Sequence, residues 1–385
     1  MPKTIECGLD IGTSKVCCVV AEQAKDGTRQ VLGCGWADHR GVREGHIIDL
    51  DVVTDAVQAA LAQAEAEARV TVRQCLVSVS VPELQSRRTR GIVPLADYGL
   101  EIRGRDVERV RAQAELTELA LDRAILHSIP VSFSVDGQVG VDDPLGLVGR
   151  QLAVELLLLT CPQMVLQNLA KAVQLAGLEV QQFIYSGLAT AQGVLTAEDR
   201  EQMVLVIDIG GTRTDLVVMA RGRLVTAQTL PVGGEHLTEA VIRHAKVQAD
   251  EAESLKREAA LSRSSPVAAA LSDAVVELLT QLHAAAQRLV DGLGEPDAII
   301  MTGRTALLDG LLELVEERFG KPVRLGRAAL PPRYFGREQS LVAATAVGLL
   351  DYQRSHLIMM PLPAETLPWP RRLLVKAREL YEDYF

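Results

Sequence analysis

The sequence is poor in aromatic residues and in lysine, and it has no continuous apolar stretch long enough to cross a membrane. Phe, Trp and Tyr make up 3% of the 385 residues, and only eight of the 40 basic residues are lysines. The most continuous apolar stretch, residues 152–161, is half as long as the ~20 residues of a transmembrane helix and contains Glu155. The six cysteines include no CxxC pair, which predicts neither a zinc site nor a disulfide framework.

Acidic residues outnumber basic ones, 50 to 40, and the net charge is −10. Because proteins that bind nucleic acid usually carry a basic excess, we expect no nucleic-acid partner. The first six residues lead into a strand-like segment without the apolar region of a secretory signal, so we expect a cytoplasmic protein. The hydrophobic share of 48% excludes a wholly disordered chain.

An internal near-repeat organises the chain. Residues 5–15 read IECGLDIGTSK and residues 204–215 read VLVIDIGGTRTD. Each is an apolar strand that ends in Asp-Ile-Gly, followed by a small polar turn and a second apolar strand, which is a β-hairpin pattern. Because the two copies lie about half a chain apart, they predict two similar α/β lobes that face each other across a cleft.

Periodicity predicts the remaining elements coarsely. We expect helices at 50–68, 105–121, 166–176, 306–319 and 340–353, with further helices between 250 and 295. We expect strands at 74–81, 129–135, 151–159 and 298–302. The pattern therefore predicts a mixed α/β protein, in which further helices begin near Leu188 and at His236.

An aspartate followed by a glycine-rich turn suits the binding of phosphate and magnesium. Such a turn presents backbone N–H groups to phosphate oxygens, and glycine permits close approach. Hydrated Mg²⁺ prefers one or two carboxylates plus waters. A third glycine turn, at Gly303, follows a predicted strand. The spacing GxxxxGK[ST] of a Walker A loop is absent, and no GxGxxG follows a strand.

These features are similar to those of the actin-like ATPase superfamily, and within it the chain resembles the FtsA family of bacterial cell-division proteins. The resemblance runs nearly end to end. Its most specific stretches are GLDIGTSKVC (8–17), DVERVRAQA (106–114), ILHSIPVSFSVDGQVGVDDPLGLVG (125–149), YSGLATAQGVLT (185–196), PVGG (231–234) and AVGLLDY (346–352). The resemblance implies a bilobed actin-like fold around a nucleotide cleft, with an inserted α+β subdomain.

The resemblance implies the cofactors ATP and Mg²⁺ and a set of site residues. Asp10 and Asp208 would hold Mg²⁺ through water, and Gln192 would position an attacking water. The implied nucleotide-binding residues are Asp10, Gly12, Thr13, Ser14, Lys15, Asp208, Gly210, Gly211, Thr212, Glu253, Lys256 and Gly303. Thr212 and Arg304 stand where the family usually has glycine. We therefore expect ATP to bind and its hydrolysis to be weak or absent.

Several of these residues have a plainer interpretation from the sequence alone. Asp10 and Asp208 could be turn residues only, and Lys15 could be a solvated hairpin residue. Glu253 and Lys256 have the i, i+3 spacing of an ordinary surface pair on a helix.

The resemblance also implies a division into subdomains. Residues 1–81 and 163–202 would form the core of lobe 1, and residues 82–162 the inserted subdomain that contacts downstream division proteins. Residues 203–235 and 296–353 would form the core of lobe 2. Residues 236–295, which would cap the nucleotide and meet FtsZ, are fewer than in the family.

The C-terminal residues predict a membrane anchor. Residues 354–368 form a proline-rich linker, and residues 369–385 place their apolar side chains on one arc of a helical wheel. That arc contains Trp369, Leu373, Leu374, Ala377, Leu380, Tyr381, Tyr384 and Phe385. Trp and Tyr favour the membrane interface. The alternative is a helix that docks on the core of the protein itself.

Together these inferences predict a polymer-forming, ATP-binding protein on the inner face of the cytoplasmic membrane at the division site. It would bind FtsZ, further copies of itself, membrane lipid and downstream division proteins. A pilus-assembly ATPase of the PilM type and, less favoured, a small-molecule kinase of the same superfamily are the alternatives.

Overall fold

The computed structural model describes residues 4–23, 29–95, 101–116, 120–261, 265–328, 330 and 339–352. The predicted linker 354–368 and the predicted terminal helix 369–385 lie outside the described residues.

The described chain alternates between strands and helices. The strands are β1 (Thr4–Ile11), β2 (Lys15–Gln23), β3 (Arg29–Asp38), β4 (Val42–Arg43), β5 (His46–Ile47), β6 (Gln74–Val79), β7 (Gln85–Pro94), β8 (Arg123–Val135), β9 (Gln138–Val141), β10 (Gln151–Pro162), β11 (Glu179–Tyr185), β12 (Met203–Ile209), β13 (Thr214–Ala220), β14 (Arg223–Leu230), β15 (Ala298–Thr302) and β16 (Val323–Leu325). The helices are α1 (Leu50–Ala68), α2 (Gly104–Glu115), α3 (Gln163–Leu175), α4 (Ser186–Val194), α5 (Gly234–Ala245), α6 (Ala249–Glu258), α7 (Pro266–Val290), α8 (Leu311–Phe319), α9 (Gln339–Val342) and α10 (Ala344–Tyr352).

Two five-stranded sheets have the same topology, which confirms the duplication predicted from the repeat. The first has the order β11-β6-β1-β2-β3 and the second β16-β15-β12-β13-β14. In both, a hairpin at the centre (β1–β2 or β12–β13) is antiparallel, and the strand beside it (β6 or β15) is parallel. The first sheet lies in one hydrophobic cluster. One face of the second sheet builds a second cluster, while residues of its other face, such as Val206 and Val217, join the first.

A third sheet, of order β7-β10-β8-β9, lies within residues 85–162 and is covered by α2. Its core includes Val110 of α2 and Phe133, Leu152 and Leu156 of the strands. The apolar stretch 152–161, which periodicity alone could not assign, is the central strand β10 between two antiparallel neighbours. Burial on both sides explains its continuous apolar sequence.

Helix α1 has the predicted bounds because its ends carry clear signals. The side chain of Asp49 accepts a hydrogen bond from the backbone of Val52, which caps the first turn. Glycines on β3 let this helix pack closely on the sheet, since a Cβ added at Gly35 would lie 2.0 Å from the carbonyl oxygen of Ala60.

Helices α4 and α10 pack tightly against each other. A Cβ at Gly348 would lie 1.7 Å from the carbonyl oxygen of Ala189, and one at Gly193 would lie 2.4 Å from that of Ala344. On the first sheet, a Cβ at Gly8 would lie 2.3 Å from the carbonyl oxygen of Ala346. These close backbone contacts fix α10 against the hairpin that carries the first predicted phosphate turn.

Three predicted helices differ from the structure. The helix predicted at 306–319 is instead a 3₁₀ turn at Arg304–Leu307 and α8, because Gly310 has φ +88° and interrupts the helix. The helix predicted at 340–353 is divided into α9 and α10. The helix predicted at 105–121 ends as α2 at Glu115.

One described helix, α7, is long and apolar enough to span a membrane by length and composition alone. It lies within the predicted helical region 250–295, but polar residues interrupt its sequence, so no continuous apolar stretch indicates a membrane span there. Its buried residues Leu271, Val275, Leu278 and Leu282 recur every three or four positions and belong to the second core. That spacing is the pattern of an amphipathic core helix.

Candidate functional site

The two Asp-Ile-Gly hairpins have closely similar turns. In the first, the backbone N–H of Gly12 donates to the carbonyl of Lys15 over 2.9 Å, and in the second the N–H of Gly210 donates to that of Arg213 over 2.9 Å. The turns meet across the lobes, where the hydroxyl oxygens of Thr13 and Thr212 are 2.8 Å apart. The structure therefore brings the two predicted phosphate turns together at one place.

The short hairpin β4–β5 of the first lobe also reaches this place. The backbone N–H of Glu44 donates to the hydroxyl oxygen of Thr212 over 3.0 Å. Glu44 and Gly45 both have positive φ, 50° and 85°, as the tight turn requires. A Cβ at Gly45 would lie 2.0 Å from the carbonyl oxygen of Ser80, so the hairpin tip packs closely on the first lobe.

The carboxylate of Asp10 lies at the end of β1, buried and hydrogen-bonded. The hydroxyl of Ser78 donates to its Oδ1 over 2.6 Å, and the backbone N–H of Ile11 donates to the same hydroxyl oxygen over 3.2 Å. Ser78 comes from β6, the parallel neighbour of β1. The first sheet thus supplies a fixed donor to this carboxylate.

The carboxylate of Asp208, at the equivalent position of β12, also accepts a hydrogen bond from a hydroxyl. The hydroxyl of Thr190 on α4 donates to its Oδ2 over 2.9 Å. Burial, and then the charge of Asp215, raise the pKa of Asp208 to about 7, although the Thr190 hydrogen bond opposes the shift. A cation beside it would therefore stabilise the ionised form.

Asp215 is a buried carboxylate that the sequence reasoning missed. It faces Asp208 across the β12–β13 hairpin. Its Oδ1 accepts hydrogen bonds from the hydroxyls of Thr229 at 2.6 Å, Ser80 at 2.7 Å and Tyr185 at 3.2 Å. Since Ser80 and Tyr185 belong to the first lobe, this carboxylate joins the two lobes behind the turns. Its place in the second repeat, seven residues after Asp208, is the signal that could have indicated it.

Lys15 begins β2 and points across to the second half of the chain. Its Nζ donates to the carbonyl oxygen of Val342, at the end of α9, over 2.7 Å. Burial lowers the pKa of this ammonium, against the pull of neighbouring acidic groups. The residue is therefore engaged with the protein rather than solvated. The carbonyl of Ser14 in the same turn accepts a hydrogen bond from the backbone of His39.

Gly303 follows β15 beside the second aspartate. Its φ is +86°, and a Cβ there would lie 2.4 Å from the carbonyl oxygen of Ile209 and 2.6 Å from Oδ1 of Asp208. Both the backbone conformation and the close approach require glycine at this position.

Glu253 and Lys256 form a network with the start of α5 and are more than a surface pair. Nζ of Lys256 lies 2.6 Å from the carboxylate of Glu253 and donates to the Gly234 carbonyl over 3.1 Å. The hydroxyl of Thr238 donates to Glu253 over 2.7 Å. The N–H of Gly234 in turn donates to the carbonyl of Gly210 in the second turn over 2.9 Å. These bonds place both residues beside the turn.

Gln192 lies on α4 but is not brought to the turns. Its Oε1 accepts a hydrogen bond from Arg200 over 2.9 Å, and its backbone carbonyl accepts a second one over 3.2 Å. Thr190 contacts Asp208. Gln192 lies two residues farther along the same helix, so its side chain points about 200° away from that of Thr190. The role of Gln192 in positioning water stays a prediction that this side-chain placement does not favour.

Among the described residues no group of three or more His, Cys, Asp or Glu side chains could hold a metal ion directly. Asp10 and Asp208 remain as a pair of carboxylates at the ends of equivalent strands. Such a pair fits a hydrated Mg²⁺, which keeps most of its waters. The donor set and the glycine turns are therefore compatible with a magnesium nucleotide.

Three family models match parts of the chain. A model for the SHS2 domain inserted in FtsA matches residues 82–160, one for cell division protein FtsA matches residues 205–348, and one for MreB/Mbl protein matches residues 150–252.

Curated relatives match most of the chain. The cell division protein FtsA of Pseudomonas aeruginosa is 30% identical over 371 residues, covering 90% of this chain and 88% of the relative. That of Streptococcus pneumoniae is 33% identical over 345 residues, covering 83% and 74%. That of Escherichia coli K12 is 29% identical over 382 residues, covering 91% and 90%.

Solved structures match at lower sequence identity. A PilM-PilN type IV pilus biogenesis complex gives a TM-score of 0.70 at 20% identity, covering 91% of this chain and 99% of that one. MreB 5 of Spiroplasma citri bound to AMPPNP gives 0.52 at 12%, covering 92% and 97%. These likenesses concern the fold, and the predicted bilobed actin-like fold is confirmed.

Proposed function

The chain belongs to the FtsA family of cell division proteins, and from this premise we propose that it links the FtsZ polymer to the inner face of the cytoplasmic membrane at the division site. ATP and Mg²⁺ bound between the lobes would act as a switch for assembly. The observation that carries the proposal is the meeting of the two duplicated Asp-Ile-Gly turns at Thr13 and Thr212.

Residues from both turns would bind Mg²⁺ and the phosphates of ATP. Asp10 and Asp208 would orient the waters of Mg²⁺, and the glycines of the turns would let backbone N–H groups approach phosphate. Bound ATP supplies a negatively charged phosphate chain that both lobes can grip. The network of Glu253, Lys256 and Gly234, together with Gly303, would hold the nucleoside end.

Turnover of ATP would be slow. Thr212 fills the space between the turns with a side chain, and Gln192 is held by Arg200. Replacing Thr212 and Arg304 by glycine should raise ATP affinity or turnover. Steady hydrolysis by the unaltered protein at about 1 s⁻¹ or faster, the low end of ordinary enzymes, would contradict this expectation.

The C-terminal residues 369–385 would bind the membrane as an interfacial helix, folding as they bind. The charges of this segment nearly cancel, so apolar burial would dominate over attraction to anionic lipid. The sheet of residues 85–162 would contact downstream division proteins, and further copies of the chain would assemble into a polymer. The PilM-type alternative is weaker, because that likeness lies at 20% identity and concerns the fold.

Co-sedimentation with liposomes, with and without ATP and FtsZ, tests the proposal. We expect the full chain to sediment with liposomes and to bring FtsZ with it. Leu373→Glu or Leu380→Glu should release the protein, while raised salt should release it only slightly because screening leaves apolar burial intact. Arg372→Glu, outside the apolar arc, is the matched control. Equal binding after deletion of residues 369–385 would rule out the anchor.

A further inference from the structure

We propose that Arg213 binds the terminal phosphate of the nucleotide and makes the cleft selective for a nucleoside triphosphate over a diphosphate. The inference rests on the proposed function, nucleotide binding between the two turns, and adds a residue that the resemblance does not assign.

Lys15 and Arg213 occupy the same position in the two repeats. Each comes five residues after the aspartate, and each offers its carbonyl oxygen to the N–H of the glycine that opens the turn, in both cases over 2.9 Å. Because the hairpins have the same register from the aspartate onwards, the duplicated backbone places one cation on each side of the cleft.

Arg213 is buried and incompletely paired. Its exposed fraction is 8%, and its Nη1 has no hydrogen-bond partner within the part of the chain that the structure describes. A guanidinium remains charged in any protein, and a buried charge without partners is strongly unfavourable. An arginine in this position is therefore suited to an anion that comes from outside the chain.

The nearby carboxylate of Asp215 does not supply the missing hydrogen-bond partner of Arg213 Nη1. Arg213 ends the turn and Asp215 follows two residues later in β13, and the charge of Arg213 opposes the rise that burial causes in the pKa of Asp215. Asp215 already accepts three hydroxyl hydrogen bonds at its Oδ1, from Ser80, Tyr185 and Thr229. Arg213 contributes charge to that neighbourhood, and its buried Nη1 has no hydrogen-bond partner among the described residues.

The two cations also differ in their bonding. Lys15 already donates to the Val342 carbonyl at 2.7 Å, whereas Arg213 retains a buried donor beside Thr212. Thr212 contacts Thr13, so Arg213 adjoins the point where both turns meet. A phosphate held by both turns is the group it would reach. Guanidinium groups match phosphate oxygens in a forked, charge-assisted geometry.

Calorimetric titration of the full chain with Mg·ATP and with Mg·ADP tests the proposal. Arg213→Gln should weaken ATP binding about tenfold or more, the effect of one charge-assisted hydrogen bond, and ADP binding less than about threefold. Arg213→Lys should lie between Gln and the unaltered protein. Arg243→Gln, an exposed arginine in the last turn of α5, removes the same charge and should change neither affinity.

A structural role would lower both affinities together, because it would disturb the whole turn. Equal loss for ATP and ADP in Arg213→Gln, or no loss for either, would therefore overturn the assignment. Thermal unfolding of each variant verifies that the fold is retained. If the unaltered protein bound neither nucleotide at millimolar concentration, the proposed nucleotide cleft would fail, an outcome distinct from a wrong assignment of Arg213.

Discussion

The two Asp-Ile-Gly hairpins share a backbone and differ in how their charges are compensated. In the first, Asp10 accepts from Ser78 and Lys15 donates to Val342, so both charged groups have protein partners. In the second, Asp208 also accepts a hydrogen bond, from Thr190, but burial raises its pKa to about 7, and Nη1 of Arg213 has no partner among the described residues. A bound nucleotide and cation would therefore change the second turn more than the first.

The strands beside the aspartates show the same asymmetry. In the first sheet, β6 continues through the buried Val79. In the second sheet, β15 ends at Thr302 and the chain turns at Gly303, whose φ is +86°. The two sheets share a topology, and in the second sheet a turn at this position passes close to the aspartate.

The largest expected effect comes from breaking that turn. Gly303→Ala should destabilise the protein by ~2 kcal/mol or more, because it combines a left-handed backbone with a Cβ 2.4 Å from the Ile209 carbonyl. It should also abolish nucleotide binding, since the displaced backbone adjoins Asp208. Chemical denaturation and nucleotide titration measure the two effects.

Gly320→Ala is the matched control for this substitution. Gly320 also has positive φ, 63°, but no atom lies within 4 Å of its added Cβ. We expect a loss of ~1 kcal/mol and unchanged nucleotide binding. Equal effects of the two substitutions would mean that the close approach at Gly303 is unimportant.

How much of this site the sequence predicts depends on how far apart along the chain the contacting residues lie. The hairpins, the position of both aspartates and the bounds of α1 follow from local patterns: strand alternation, Gly turns and the Asp49 cap. The network around Asp215 does not, because Ser80, Tyr185 and Thr229 come from separate parts of the chain.

The errors in the predicted helix bounds have a similar cause. Residues 306–310 have helical composition, but the chain must leave β15 in a turn, and Gly310 with φ +88° interrupts the helix before α8. The side chain of Gln192 is directed by its contact with Arg200, which local spacing cannot indicate. Tertiary contacts override local propensity at these positions.

The next largest expected effect, after that of Gly303→Ala, concerns the charge of Asp208. Its folded-state pKa lies near 7, above the ordinary value of an unfolded aspartate, so the folded state binds the proton more tightly. This contribution to stability is present at low pH and is lost as pH rises from about 4 to 7. Asp208→Asn cannot ionise, so without ligand its melting temperature should fall less between pH 5 and pH 8 than that of the unaltered protein.

Asp10→Asn is the comparison that sharpens this prediction. Asp10 lies at the equivalent position of the first turn, where its carboxylate accepts a hydrogen bond from the hydroxyl of Ser78. Both substitutions should weaken Mg²⁺-dependent nucleotide binding. If Asp208→Asn showed the same pH slope as the unaltered protein in differential scanning calorimetry, the raised pKa of Asp208 would be wrong.

The smallest effect should come from the hydroxyl contact between the turns. The hydroxyl of Thr212 is hydrogen-bonded to the hydroxyl of Thr13 at 2.8 Å and to the N–H of Glu44 at 3.0 Å. Among the described residues, the hydroxyl of Thr13 is hydrogen-bonded to Thr212 alone. Thr212→Val loses both interactions and leaves the N–H of Glu44 without this acceptor, so it should cost ~1–2 kcal/mol. Thr13→Val keeps the Glu44 bond and should cost ~1 kcal/mol or less. Urea denaturation can rank the two isosteric variants, and a larger loss in Thr13→Val would show that the first turn, rather than the second, carries the connection between the lobes.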